Sequence, residues 1–314
     1  MFLHKWDAPT TIAQDKVEST VASLREYLLD VTRTSQVKKQ SQQLYSWLIR
    51  PAEAELANSG IKNLVFVLDG SLRNIPMAVL YDSQQQKYLV EKYAISLTPG
   101  LQLINPRPLQ QVKLNVLTAG VGEKRSIEGR EFAPLENVAR ELRGIKSEVD
   151  KSKELFNQAF TETNLQNQLK STPFSVVHLA THGEFSSNPE ETFILTWDQL
   201  LKVKDFDNLL RLSDSSGSST IELLVLSACE TATGDKRAAL GLAGVAVRAG
   251  ARSTLATLWS VEDQFTTELM SQFYRELKTG APRASALQRA QLAVMKHEKR
   301  PYFWAPYVLV GNWL

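Results

Sequence analysis

The residues with the clearest chemical potential in this sequence are Cys229, the only cysteine, and His182, which lies 47 positions before it. A thiol becomes a strong nucleophile when a neighbouring imidazole takes its proton. Gly183 directly follows the histidine, and a glycine there lets the backbone approach a substrate closely. The backbone N–H groups of Gly183 and Cys229 could then stabilise the oxyanion of a tetrahedral intermediate. Together these residues indicate hydrolysis of an amide by a cysteine nucleophile.

Each of the two residues follows a short apolar segment that ends at small and polar residues. His182 follows Ser175–Ala180, and Cys229 follows Ile221–Ser227. Such segments are typical of buried strands, and the sites of open α/β sheets form beyond the carboxyl ends of the strands. We therefore expect the two strands to be neighbours and the thiol and the imidazole to meet at one edge. The alternative is that Cys229 is a small buried hydrophobic residue, which is common for a free cysteine.

The other histidines are not expected to form a second site. His178 lies within the strand that precedes His182 and is interpreted as a core or supporting residue, whereas His4 and His297 are interpreted as surface residues. The sequence contains no Walker motif, no dinucleotide-binding glycine pattern and no spacing typical of zinc ligands, so we expect no cofactor and no metal. Redox sensing by Cys229 would lack a second, resolving cysteine.

The composition is that of an ordinary globular protein, with 314 residues of which 43% are hydrophobic and 22% charged. A net charge of +2 does not predict binding to nucleic acid. No segment is apolar over the length of a membrane span, and the N-terminus lacks the apolar core of a signal peptide, so we expect no direct membrane insertion. A single cysteine cannot form an internal disulfide, which favours a reducing compartment and a cytoplasmic location.

Alternating strand and helix patterns are expected to position the two residues. Helices and strands are both predicted within residues 1–110, and strands alternate with helices over residues 111–314. This alternation predicts an α/β fold with a mainly parallel sheet between layers of helices. One of these helices is predicted over residues 238–249. The polar segment Gly120–Phe132 and the serine-rich segment Ser213–Ser219 are predicted to be mobile loops.

The segments around these residues resemble the CHAT domain family and, more widely, separase and the caspase–gingipain group of cysteine peptidases. The resemblance extends from about residue 36 to the C-terminus and is carried by Leu179-Ala-Thr-His-Gly183, Val225-Leu-Ser-Ala-Cys-Glu-Thr231 and Leu258-Trp-Ser-Val-Glu-Asp263. Caspase signatures also place the histidine about 50 residues before the cysteine. The resemblance implies a caspase-like three-layer α/β/α sandwich with the N-terminal helices and strands packed on it. It also implies a dyad, with His182 as the base, Cys229 as the nucleophile and no third side chain to orient the imidazole.

The resemblance further suggests a substrate. In separase-like relatives, an acidic residue at the position of Asp263 lines the pocket for a basic P1 side chain, and Glu262 and Glu230 lie next to Asp263 and Cys229 in the sequence. A carboxylate in a cleft would bind the guanidinium of arginine through two hydrogen bonds, so we expect cleavage after arginine. The alternative is that Asp263 is an acidic residue in the first turn of a helix, where the helix dipole favours it.

Two classes of function are consistent with these residues. The first is a cytoplasmic cysteine endopeptidase that cleaves protein or peptide substrates in signalling. The second is a catalytically silent CHAT-type scaffold that docks partners in a signalling complex, although the presence of both His182 and Cys229 favours the peptidase. The family implies an upstream tetratricopeptide-repeat or regulatory module. Within the chain, residues 1–110 are expected to form the N-terminal helical and β-strand portion and residues 111–314 the catalytic portion.

Overall fold

The computed structural model describes residues 12–100, 106, 114–184, 188, 190–202, 204–206, 208–209, 221–227, 251–259, 261 and 263–314. His182 and Gly183 are among them, and Asp263 is described only as the first residue of a helix. Three predicted site residues, Cys229, Glu230 and Glu262, lie outside the described residues, as do His4, the predicted loop at 213–219 and the predicted helix at 238–249.

The described part of the chain alternates between helices and strands over most of its length. The helices are α1 (Gln14–Leu28), α2 (Thr34–Leu48), α3 (Glu53–Asn58), α4 (Leu89–Lys92), α5 (Val138–Glu148), α6 (Glu162–Ser171), α7 (Asp263–Lys278), α8 (Arg283–Met295) and α9 (Pro301–Trp304). The strands are β1 (Asn63–Phe66), β2 (Tyr81–Asp82), β3 (Lys87–Tyr88), β4 (Ala94–Leu97), β5 (Asn115–Gly120), β6 (Arg125–Ile127), β7 (Arg130–Phe132), β8 (Lys151–Phe156), β9 (Val176–Ala180), β10 (Gly183–Glu184), β11 (Phe193–Leu195), β12 (Leu200–Lys202), β13 (Leu223–Ser227), β14 (Ser253–Thr257) and β15 (Tyr307–Gly311).

Eight of these strands form one sheet in the order β1-β4-β15-β14-β13-β9-β5-β8. All neighbouring strands are parallel except β14 and β15, which are antiparallel. The central strands β9, β13 and β14 are buried at every position, as expected for parallel strands that helices cover on both faces. The prediction of an α/β fold with a mainly parallel sheet is confirmed.

Successive residues of the central strands point to opposite faces of the sheet, which gives the protein two apolar layers. The first layer packs against α5, α7 and α8, and its strand residues include Val116, Val176, Val225 and Leu255. The second layer packs against α6 and strands β11 and β12, and its strand residues include Leu117, Val177, Leu224 and Ala256. Both faces of the sheet are therefore covered, and the ends of its strands are the places where polar side chains can gather.

A buried ionic cluster fixes the region around β2 and α4. The Lys92 Nζ atom lies 3.0 Å from Asp82 Oδ2, 3.0 Å from Glu53 Oε1 and 3.0 Å from the Tyr45 hydroxyl. The Asp82 side chain is fully buried and also accepts a hydrogen bond from Arg50. Burial alone would raise the pKa of Asp82, but the hydrogen bonds from Lys92 and nearby backbone N–H groups hold it well below its usual range.

Candidate functional site

Strands β9 and β13, which lead to His182 and Cys229, are neighbours in the sheet. They are parallel and in register from Val176 opposite Leu223 to Ala180 opposite Ser227. His182 is the second residue after the end of β9, and Cys229 is the second residue after the end of β13. Because paired strands lie about 4.8 Å apart, β9 and β13 end side by side and at the same level. The prediction of neighbouring strands is confirmed, and the contact between thiol and imidazole stays a prediction.

The imidazole of His182 is half-buried, and a backbone carbonyl contacts one of its nitrogens. Nε2 lies 2.7 Å from the carbonyl oxygen of Ala133. A carbonyl oxygen can only accept a hydrogen bond, so Nε2 must carry the proton in this arrangement. In the neutral ring, Nδ1 is then the nitrogen with a free lone pair. The imidazole is thus prepared to accept a proton at Nδ1.

The backbone on either side of the imidazole is held by β11. The hydroxyl of Thr181, which is fully buried, donates to the Leu195 carbonyl at 2.9 Å, and the Leu195 N–H donates to the His182 carbonyl at 2.8 Å. The Thr181 N–H also donates to the Ser227 carbonyl of β13 at 3.3 Å. These bonds join the residue before the imidazole to both neighbouring strands.

Gly183 begins β10 and lies opposite Ile194 of β11. Because the hydrogen bond between these strands joins Leu195 to His182, the next residue pair is a non-hydrogen-bonded pair. The Gly183 N–H therefore points away from β11. In this direction the N–H can reach an acceptor outside β11, as an oxyanion-hole donor requires.

The segment that contains Ala133 begins with a hairpin rather than an irregular loop. Strands β6 and β7 pair from Arg125 opposite Phe132 to Ile127 opposite Arg130. The two turn residues, Glu128 and Gly129, have φ values of 53° and 75°, which suits the tight turns that match the twist of a hairpin. The prediction of a loop over Gly120–Phe132 is wrong for this part of the segment.

The hairpin of β6 and β7 packs against the imidazole and against a three-stranded sheet formed by β10, β11 and β12. The ring of Phe132 lies 5.5 Å from the His182 ring and 6.0 Å from the Phe193 ring, measured between centroids. Arg130 forms an ion pair of 3.0 Å with Glu184 and lies over the ring of Phe193. The Glu184 carboxylate, two residues after the imidazole, therefore already has a cationic partner within the chain.

His178 lies in the interior, as its position within the strand predicts. Its side chain is fully buried, with Nδ1 3.1 Å from the Tyr274 hydroxyl and Nε2 3.1 Å from a Glu141 carboxylate oxygen. These contacts tie β9 to helices α5 and α7. Burial raises the pKa of Tyr274 well above its usual range, so this hydroxyl keeps its proton. By contrast, the His297 side chain is 53% exposed and pairs with Glu268, which confirms its surface position.

Two of the three residues predicted to line the P1 pocket, Glu230 and Glu262, lie outside the described residues. Asp263 is the first residue of α7, as the helix-terminus alternative expects, and its role in a pocket stays a prediction. Between β14 and this helix, Trp259 is nearly buried and donates from its indole nitrogen to the Tyr302 carbonyl at 3.0 Å. The Leu258 N–H donates to the Pro306 carbonyl at 2.8 Å. Leu258 and Trp259 are therefore fixed to the chain around α9.

No pattern in the sequence identifies the residues that hold the imidazole in place. Ala133 acts through its backbone carbonyl, which any residue possesses, and its contact depends on the path of the hairpin. Thr181 lies within the Thr-His-Gly segment, but a buried threonine is compatible with an ordinary strand end. Within the described part of the chain, no group of three histidine, cysteine or acidic side chains could hold a metal ion. Every helix in that part is too short or too polar to cross a bilayer.

Comparison with known proteins gives the chain its relatives. Among curated proteins it is similar to tetratricopeptide repeat protein 28 of Mus musculus, at 24% identity, and of Homo sapiens, at 23% identity. Each match covers 86% of this chain but only 13% of the relative, so the chain corresponds to a small part of those proteins.

Among solved structures, the chain is similar to the separase–securin complex of Saccharomyces cerevisiae, with a TM-score of 0.55, 15% identity and coverage of 85% of this chain and 17% of that chain. It is also similar to the complex of the RgpB pro- and mature domains of Porphyromonas gingivalis, with a TM-score of 0.50, 8% identity and coverage of 96% and 76%. At these identities the likeness shows the fold, which is the caspase-like sandwich expected from the sequence. The CHAT domain family model matches residues 38–312, and the chain therefore belongs to the CHAT domain family.

Proposed function

We propose that this protein is a cysteine endopeptidase in which His182 and Cys229 form a catalytic dyad. The observation that carries the proposal is the register of β9 and β13, from which both residues are equally displaced. The direction of the imidazole proton supports it, because a ring that donates from Nε2 to Ala133 has its basic nitrogen, Nδ1, free to accept the thiol proton.

In the proposed reaction, the thiol of Cys229 transfers its proton to Nδ1 of His182 as the sulfur forms a bond with the scissile carbonyl carbon. The N–H groups of Gly183 and Cys229 bind the resulting oxyanion. When the carbon–nitrogen bond breaks, the imidazolium gives its proton to the departing amine and a thioester remains. Water then attacks the thioester with Nδ1 as the base, which releases the carboxylic acid and restores the thiol.

We further propose arginine as the P1 residue, with Asp263 as its main partner and Glu262 and Glu230 as neighbours in the same pocket. A carboxylate at this place would match the planar guanidinium better than the compact ammonium of lysine. Asp263 begins α7, the helix that follows β14, and β14 lies next to β13 in the sheet, which supports the assignment.

The natural substrates are proposed to be proteins or peptides, and an upstream tetratricopeptide-repeat or regulatory module is the proposed partner. The names of the curated relatives and the small share of them that this chain covers support a larger assembly. We also propose that residues 1–110 support residues 111–314 within one domain, because β1 and β4 extend the same sheet through β15.

The proposal is tested with a fluorogenic peptide library that varies only the P1 residue. We expect turnover after arginine, little turnover after lysine, and complete loss of turnover in Cys229→Ala and His182→Ala. His297→Ala is the matched control, because this exposed histidine lies outside the dyad and should leave turnover unchanged. Asp263→Asn should reduce cleavage after arginine selectively.

A folded wild-type protein that cleaves no peptide at any P1 residue, and whose Cys229 reacts with iodoacetamide no faster than a free thiol, would contradict the proposal. In that case the scaffold function would be favoured. Labelling of the wild type, but not of Cys229→Ala, by a peptide with an arginine acyloxymethyl ketone would support the dyad even with slow turnover.

A further inference from the structure

A cation–π contact that is remote from the imidazole holds the hairpin of β6 and β7, which is followed directly by Ala133. The Cζ atom of Arg125, in β6, lies 3.9 Å from the centroid of the Trp197 ring. The Arg125 Nε atom is buried and has no hydrogen-bond partner among the described residues, so the indole is the contact that compensates this part of the guanidinium. Stacking of a partly desolvated guanidinium on tryptophan is among the strongest contacts of this type.

Trp197 provides a fixed base for this contact. It follows β11, and its backbone N–H donates to the Phe160 carbonyl at 2.8 Å. The Phe160 side chain is fully buried in the second apolar layer, beside Leu165 of α6. The indole is therefore attached to the body of the protein and not to the hairpin.

The strand pairing of the hairpin links Arg125 to the imidazole. Arg125 lies directly opposite Phe132, and Ala133 is the next residue along the chain. The Ala133 carbonyl is the acceptor for Nε2 of His182 at 2.7 Å. A movement of β6 away from Trp197 would therefore move the acceptor away from the imidazole.

We propose that Arg125 is a positioning residue for the base: its contact with Trp197 keeps the Ala133 carbonyl on Nε2 of His182 and so keeps Nδ1 free for the thiol. The catalytic consequence depends on the proposed function, whereas the control of the imidazole proton does not. When the contact is lost, the ring can carry its proton on Nδ1, and that form cannot accept the proton of Cys229.

Two other contacts of the hairpin are less suitable for a test of this idea. Phe132 touches the His182 ring itself, and Arg130 pairs with Glu184, two residues after it. Changes at either position would alter the surroundings of the imidazole directly. Among the described residues, Arg125 contacts Trp197 and not the His182 ring, so an effect of Arg125 on the ring would be transmitted through the hairpin.

The matched control is Lys124, the neighbour of Arg125 in the sequence. Lys124 is exposed and pairs with the exposed Glu131 on the same hairpin, at 2.7 Å. Lys124→Ala removes a positive charge and an ion pair from the hairpin without removing a contact to Trp197. A general effect of charge or of hairpin stability should appear in both variants, and an effect of the stacking contact only in Arg125→Ala.

The experiment measures the nitrogen-bound protons of the four histidines by long-range ¹H–¹⁵N NMR at about pH 8, where an ordinary imidazole is neutral. The His182 signals are assigned by their loss in His182→Asn. We expect a single form with the proton on Nε2 in the wild type and in Lys124→Ala, and a mixture of both forms in Arg125→Ala. Arg125→Lys should behave like Arg125→Ala, because an ammonium cannot stack as a planar guanidinium does.

Peptide cleavage provides the second measurement. In Arg125→Ala we expect kcat to fall by about tenfold to a hundredfold with little change in KM, as for a misplaced catalytic group. If Arg125→Ala does not fold, Trp197→Phe decides, because it keeps an aromatic face and should show a smaller change in the same direction.

The proposal is overturned if Arg125→Ala keeps the proton on Nε2 and a kcat within about twofold of Lys124→Ala. A wild-type protein that cleaves no peptide would contradict the proposed function alone, because the NMR measurement would still decide the role of Arg125.

Discussion

Replacing Thr181 with valine is expected to loosen the segment that carries the imidazole. The Thr181 side chain is fully buried, and its hydroxyl donates to the Leu195 carbonyl at 2.9 Å. Valine has nearly the same shape but no donor, so it removes this bond without leaving a large cavity. Loss of a buried hydrogen bond that leaves its acceptor without this donor costs about 1–3 kcal/mol.

The free energy of unfolding should therefore fall by about 1–3 kcal/mol in Thr181→Val, measured by urea denaturation. Thr118→Val is the matched control, because Thr118 is also buried and donates to the Lys153 carbonyl, but from β5 and over a longer distance of 3.3 Å. The control should lose less stability and should leave the NMR signals of the His182 ring unchanged.

Activity separates a local effect from a general one. In Thr181→Val we expect kcat to fall by about tenfold, because the imidazole directly follows the altered residue. Thr181→Ser retains the hydroxyl and should recover most of this loss. Equal stability and equal kcat in Thr181→Val and Thr118→Val would refute the reasoning, since the bond to Leu195 would then have no special effect on His182.

Two further predictions concern buried polar groups elsewhere. Lys92→Met should cost about 3 kcal/mol in a denaturant titration, because it removes three contacts from a buried cluster in which Asp82 keeps Arg50, the Tyr45 hydroxyl and backbone donors. Because the pKa of Asp82 is lowered in the folded state, the Asp82 carboxylate stabilises the fold at pH values above its unfolded pKa of about 3.9. This stabilisation is lost as the pH falls through the folded-state pKa. The free energy of unfolding should therefore depend less steeply on pH in Lys92→Met than in the wild type. Tyr274→Phe should cost about 1–2 kcal/mol, since His178 loses a buried partner, whereas the neighbouring exposed Arg275→Ala should cost less than about 1 kcal/mol. Equal losses in the last two variants would contradict a stabilising role for the buried network.

The sequence was sufficient to predict the strands that lead to the site because those strands are buried on both faces. A short, mostly apolar run such as the one before His182, with β-branched Val176 and Val177 and polar residues at its end, is typical of a central strand in an α/β protein. The resemblance to the CHAT domain family then suggested which residue acts as the base and which as the nucleophile. The register of the two strands could not be predicted in this way, because neither apolar run contains a feature that fixes its position relative to the other. The register depends on the whole sheet, in which Ala180 lies opposite Ser227.

The hairpin shows why other parts of the site escaped sequence analysis. Its strands are three residues long and carry several charges, so they lack the alternation that predicts a half-buried strand. Its turn has Glu128 before Gly129, whereas asparagine or aspartate is the usual residue with positive φ at this place. The aromatic contacts that stabilise it come from distant residues, including Phe193 and Trp197. Only tertiary structure could bring these together.

Two separate parts of the fold thus control two separate properties of the proposed dyad. In the proposed dyad, the sheet would set the spacing of the base and the nucleophile, because β9 and β13 end at the same level. The hairpin sets the position of the proton on the ring, because the Ala133 carbonyl can bind only a protonated nitrogen. Variants of the sheet should therefore change how closely the two groups meet, and variants of the hairpin should change which nitrogen accepts the proton. A protein with an intact sheet and a displaced hairpin would keep its fold and its thiol but lack a correctly oriented base.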